Sequence, residues 1–87
     1  MGYYYVYILK CADGTFYTGV TNNLLKRVDA HNTKATGAKY TKARRPVSLV
    51  YQKRHKDRSK AQQAEYHVRH LTRTEKTELI KLFNQKT

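Results

Sequence analysis

Two tyrosine-bearing segments, Tyr5-Val6-Tyr7 and Tyr17-Thr18-Gly19, are followed by Arg27 and, one helical turn later, by His31. A guanidinium grips phosphate oxygens through a planar fork that lysine cannot copy. Phenol and imidazole can move protons beside a reacting group. Brought together on a basic protein, these groups can bind, polarise and attack a phosphodiester. A fourth group emerges from sorting the acidic residues. Asp13 belongs to a turn, and Asp57 and Glu75 stand at helix starts, where the dipole favours negative charge. Glu78 lies in the opening turns of the last helix, and Asp29 can pair with a neighbouring cation. Glu65 falls mid-helix, on the edge of an apolar stripe. A lone carboxylate in a positive field suits a hard divalent cation such as Mg2+. It equally suits a surface pair with Arg69 at i,i+4 spacing, and the residues by themselves leave both readings open.

The elements that must position these groups follow from periodicity. Residues 3–10 are dense in Tyr, Val, Ile and Leu, which predicts a strand covered on both faces. Residues 11–14 end in Asp-Gly, a turn signal, so 15–20 reads as the returning strand of a hairpin. Thr21-Asn22-Asn23 can cap a helix running from about 23 to 31, with Leu24, Val28 and His31 inward. Residues 32–45 read as a long basic loop, and Val47 to Tyr51 alternate as a third strand. The run 53–56 reads as a solvated turn. A helix then begins near Asp57 or Ser59, with Ser59 and Gln62 at capping-box spacing and Ala61, Ala64, Val68 and Leu71 as its buried stripe. Thr72 and Glu75 repeat that spacing and open a last helix with Leu79, Ile80 and Phe83 inward. The expected fold is α+β: a small three-stranded antiparallel sheet, made of the hairpin plus one later strand, flanked by about three helices, with residues 1–87 as one domain.

Composition narrows the partners. The 87 residues carry 18 Lys and Arg against 6 Asp and Glu, a net charge of +12. Such a chain repels itself unless a polyanion relieves it, and counterion release makes nucleic acid the leading partner. No apolar run approaches the ~20 residues of a spanning helix, so no membrane role is expected. The single cysteine, Cys11, excludes an internal disulfide and fits a reducing cytoplasm; as a residue it reads as a small apolar filler. His67 and His70 at i,i+3 are two ligands, too few for zinc. Lys34, Lys39, Lys42, Arg44 and Arg45 read as phosphate contacts, with a merely solvated basic loop as the competing reading. Tyr7 and Tyr17 also have a plain alternative, as core aromatics with hydroxyls at the surface. His31 has one as a satisfied helix histidine.

Tyr5-Val6-Tyr7, Tyr17-Thr18-Gly19, Arg27, His31 and Glu65 resemble, in order and spacing, the motif series of the GIY-YIG nuclease superfamily. The Ala-Lys-Tyr-Thr run at 38–41, Arg45-Pro46 before a strand, and Glu65 followed by Arg69 and Leu71 resemble its short single-domain bacterial members. Those members form an excision-repair nuclease N-terminal-like subgroup. The sequence departs from the pattern at Tyr5, where the family has glycine, and at Thr18, where it has isoleucine. The asparagine that follows the glutamate in some members has no convincing counterpart.

The resemblance implies catalytic roles for Tyr7, Tyr17, Arg27, His31 and Glu65, with Glu65 holding one Mg2+ or Mn2+. It implies hydrolysis of DNA, including branched or damaged DNA, by a water that Tyr7 activates, and a protein partner that supplies target specificity. The alternative is a module of the same fold that binds nucleic acid and cuts weakly or not at all. Ranked last is a small RNA- or ribosome-associated protein.

Overall fold

Strand β1 (Tyr4–Lys10) is the centre of the molecule, and its four middle residues Val6, Tyr7, Ile8 and Leu9 are buried. The structure, a computed structural model that describes residues 2–85, places β1 between two antiparallel neighbours in the order β2-β1-β3. Burial of every middle residue is what a central strand covered on both faces requires. The Asp13-Gly14 turn returns the chain as β2 (Phe16–Thr21), with Gly14 at φ 85° and the Asp13 carboxylate accepting from the Thr15 amide and hydroxyl. Register sets Tyr7 opposite Gly19 and Leu9 opposite Tyr17, which places both tyrosines on one face of the sheet.

Helix α1 (Leu24–Thr33) starts where the Asn23 side chain accepts from the Lys26 amide at 3.1 Å. Its Leu24 and Val28 pack on the face made by Tyr7, Leu9, Cys11 and Val47. Strand β3 (Ser48–His55) completes the sheet, with a register shift between Ile8 and Leu9. On the opposite face, Tyr51 meets Phe83 edge-on at 5.5 Å between ring centroids. That face is covered by α3 (Arg58–Arg69), with Ala61 fully buried, and by α4 (Arg73–Gln85). No helix among the described residues is long and apolar enough to cross a membrane.

Two details differ from the sequence expectations, one in β3 and one in the basic loop. Residues 53–55 are not a turn. They extend β3, with Lys53 opposite Val6 and Arg54 opposite Tyr5. An edge strand carries exposed cations readily, and the Arg54 guanidinium lies over the Tyr3 ring at 4.4 Å. Of the two starts the sequence offers for α3, Asp57 is the cap: its carboxylate accepts from the Lys60 amide at 2.8 Å, and Ser59 lies inside the helix. The Thr72–Glu75 capping box closes as expected, at 2.8 and 3.2 Å.

The basic loop is also not featureless: Lys39–Lys42 form a short helix, α2. It is tied down from both sides. Asn32 exchanges two hydrogen bonds with the Val47 backbone, at 2.7 and 3.0 Å. Arg45 donates to the carbonyls of Ala30, His31 and Lys34 at the end of α1, at 3.3, 2.6 and 2.6 Å. The Arg45-Pro46 bond is cis.

Candidate active site

Tyr7 is the buried pivot of the site, and glycine opposite it makes its position attainable. A Cβ on Gly19 would fall on the Tyr7 hydroxyl and 2.6 Å from its Cζ, so any larger residue displaces the phenol. The ring leans across β2 and meets His31 of α1, fully buried, with Tyr7 Oη and His31 Nε2 2.8 Å apart. Tyr17 completes an aromatic triangle: its ring centroid is 6.5 Å from that of Tyr7 and 5.0 Å from that of His31.

The proton arrangement follows from counting donors. Thr41 of α2, fully buried, donates its hydroxyl to the Ala38 carbonyl at 2.9 Å. That hydroxyl has one proton, so toward His31 Nδ1, at 2.8 Å, it must accept. His31 therefore carries its proton on Nδ1, and Nε2 presents a lone pair to which Tyr7 donates. Burial, with the charges of Arg27 and Arg45 added, pushes the His31 pKa down to about 4 and keeps the ring neutral. Burial pushes the Tyr7 phenol up to about 12, against the Arg27 guanidinium, which lowers it; the charges of Tyr17 and Glu65 raise it further. Arg27 and Glu65 thus act electrically on the same hydroxyl, although they come from α1 and α3 on different faces of the sheet. Arg27 is anchored by donation to the Thr36 carbonyl at 3.1 Å.

Glu65 is 15 % exposed, with its carboxylate 3.5 Å from Arg69. The i,i+4 ion pair read from the sequence is therefore formed. Among the described residues no three of His, Cys, Asp and Glu gather into a metal-binding cluster. A donor set of one carboxylate fits Mg2+ or Mn2+, hard ions that keep several waters and complete their shell with substrate phosphate oxygens. It does not fit zinc.

The five cations expected to face nucleic acid divide by environment. Lys34, Lys39 and Lys42 are exposed. Arg44 bridges Asp13 of the hairpin turn at 3.0 Å, donates to the Tyr40 carbonyl, and lies 3.9 Å over the Tyr40 ring. Arg45 holds the end of α1, as described above. Sequence reasoning gave no role to Thr41, although it fixes the His31 tautomer, nor to Tyr40, whose ring stacks beside Tyr17 at 6.1 Å. The Ala-Lys-Tyr-Thr run was the available signal.

Residues 3–78 match the GIY-YIG catalytic domain, and the chain belongs to that family. Its relatives include a UPF0213 protein of Desulfotalea psychrophila, 50% identical over 90% of this chain and 71% of that protein. A UPF0213 protein of Clostridium perfringens is 54% identical over 87% of this chain and 81% of its own length. Among solved structures, the solution structure of the UPF0213 protein of Bacillus halodurans aligns with TM-score 0.59 at 41% identity, covering 92% of this chain and 84% of that one. A solution structure from E. faecalis aligns with TM-score 0.65 at 36% identity, covering 98% and 90%.

Proposed function

We propose that the chain works as a single domain that hydrolyses DNA phosphodiester bonds with the help of one divalent metal ion. The observation that carries this reading is the Tyr7–His31–Thr41 hydrogen-bond line, which gives a buried phenol a ready proton acceptor. A phenol raised to about 12 is a poor base in isolation. With the His31 Nε2 lone pair behind it, Tyr7 can accept a proton from the attacking water while passing its own proton to His31. The imidazolium so formed keeps its Nδ1–H on Thr41, and the water oxygen bonds to phosphorus as the 3′-oxygen leaves. Arg27 holds the phosphate and stabilises its developing charge, and Tyr17 positions it. Glu65 is the residue to hold Mg2+ or Mn2+, which supplies Lewis-acid polarisation of the phosphoryl oxygen and stabilises the leaving oxygen.

Lys34, Lys39 and Lys42 contact the DNA backbone; Arg44 and Arg45 shape the loop that carries them. Within the family we place the chain beside the short bacterial members that resemble the N-terminal domain of the excision-repair nuclease. A buried free thiol suits a reducing cytoplasm, and target choice falls to DNA shape or to a protein partner. One observation favours a second reading, a binding module that cuts weakly or not at all: Glu65 already has a cation, Arg69, against it.

Incubation with plasmid, branched and single-stranded DNA in Mg2+ or Mn2+ separates the two. The nuclease reading expects metal-dependent cleavage that Glu65→Ala abolishes while DNA binding persists. Equal products from both proteins would leave only the binding module.

A further inference from the structure

Beside Tyr17, on the outer edge of β2, lies a cavity of about 270 Å3 lined by Phe16, Tyr17, Thr18, Tyr40, Arg69 and Lys76. Its composition is mixed in a particular way. Three aromatic residues from two separate segments line it together with two cations from α3 and α4. Tyr40 is 38% exposed yet held in place, with the Arg44 guanidinium over its ring and the Tyr17 ring inclined only 28° to it. Phe16 is likewise fixed, under the Arg73 guanidinium at 4.9 Å.

We propose that this cavity is a cradle for one unstacked nucleotide adjoining the phosphate held at Tyr7 and Arg27, which makes single-stranded DNA the preferred substrate class. The inference rests on the nuclease reading for its position on the strand, but not for its chemistry. A base offers a π-face to the stacked Tyr17 and Tyr40 rings. The phosphate that follows meets Arg69 and Lys76. Aromatic walls with flanking cations bind single strands in this sequence-tolerant way, since every base has a π-face. A paired base in a duplex keeps its stack and cannot enter without being extruded. Tyr17 serves both regions, as wall of the cradle and as neighbour of Tyr7, so a base seated there fixes the register of the strand.

The test is binding in EDTA, where cleavage cannot intervene, with a labelled single-stranded oligonucleotide and a duplex of the same sequence. Tyr40→Ala should weaken single-strand binding by about fivefold or more and change duplex binding less than twofold. Tyr40→Phe, which keeps the ring, should restore wild-type affinity. Lys76→Glu gives an independent route to the same selectivity, should Tyr40→Ala fail to fold. The chain has no tryptophan, so a 2-aminopurine in the oligonucleotide gives a clean second readout. Its emission should change on binding to the wild type and to Tyr40→Phe, and not to Tyr40→Ala.

Variants that bind the single strand as tightly as wild type, or that lose single strand and duplex alike, would overturn the cradle. A wild type that never cleaves but shows the Tyr40-dependent preference would end the nuclease reading alone. Cleavage with Tyr40-independent binding would end the cradle alone.

Discussion

Tyr7 sits in a place that only one residue opposite it allows. Gly19 has no positive φ, so the requirement is space and not backbone freedom. Gly19→Ala should force the phenol away from His31, costing about 1–3 kcal/mol as an overpacked core does and nearly all cleavage. Urea unfolding beside a rate assay reads both effects. His31 makes a second prediction. Its folded pKa of about 4 lies below the ordinary 6.5, so between these values the unfolded chain binds more protons than the folded one. The stabilising effect of the buried neutral imidazole is complete above pH 6.5. It declines as pH falls from 6.5 to 4, by up to about 3 kcal/mol. Melting temperatures across that window should fall in the wild type and much less in His31→Gln. Cleavage should be lost over the lower part of the same window, because an imidazolium cannot accept from Tyr7.

At the scale of elements, the site depends on a loop clamped to α1. Arg45 donates to three carbonyls there, so Arg45→Ala should leave partly buried acceptors unmet, at about 1–3 kcal/mol. Arg44→Ala removes an exposed pair with Asp13 and should cost less than about 1 kcal/mol. Denaturant midpoints distinguish the two. Sequence patterning made most of the elements visible: the hairpin, the Asn23 cap, the Thr72–Glu75 box and the central strand each carry a local signal strong enough to act alone. The short helix α2 carries none. Four residues show no apolar period, and what holds Lys39–Lys42 is distant: Arg45 on α1, Asn32 on Val47, and Gly37 pressed against Ala30, where a Cβ would come within 2.9 Å of the His31 Cα. For the same reason neither Thr41 nor the hydrogen bonds of Arg45 to the end of α1 carried a signal in the sequence. At the other end of β3, a charge run reads as a turn, because pairing with β1 is not a property of the run itself.

For the whole molecule, a net charge of +12 on 87 residues is relieved little from within. The three ion pairs among the described residues are all at least partly exposed. DNA affinity should therefore fall steeply and linearly in log–log form as salt rises. Replacing Lys34, Lys39 and Lys42 together by Glu should flatten that slope by about three phosphate contacts' worth while the circular dichroism spectrum stays unchanged. An unaltered slope would move the contact surface elsewhere. The candidate site was legible as a set of residue types because tyrosine, arginine, histidine and glutamate occur at intervals that suit a hairpin and two helices. Its working geometry was not, since it depends on one hydrogen-bond line that crosses three elements.

The claim on which all of this turns is that the Tyr7 hydroxyl, backed by His31, moves the proton of the attacking water. The most direct measurement is the single-turnover cleavage rate of Tyr7→Phe beside wild type, in Mg2+ or Mn2+, at DNA concentrations that saturate both. The account predicts a loss of at least about a hundredfold with binding unchanged. A Tyr7→Phe protein that cuts at the wild-type rate would contradict it.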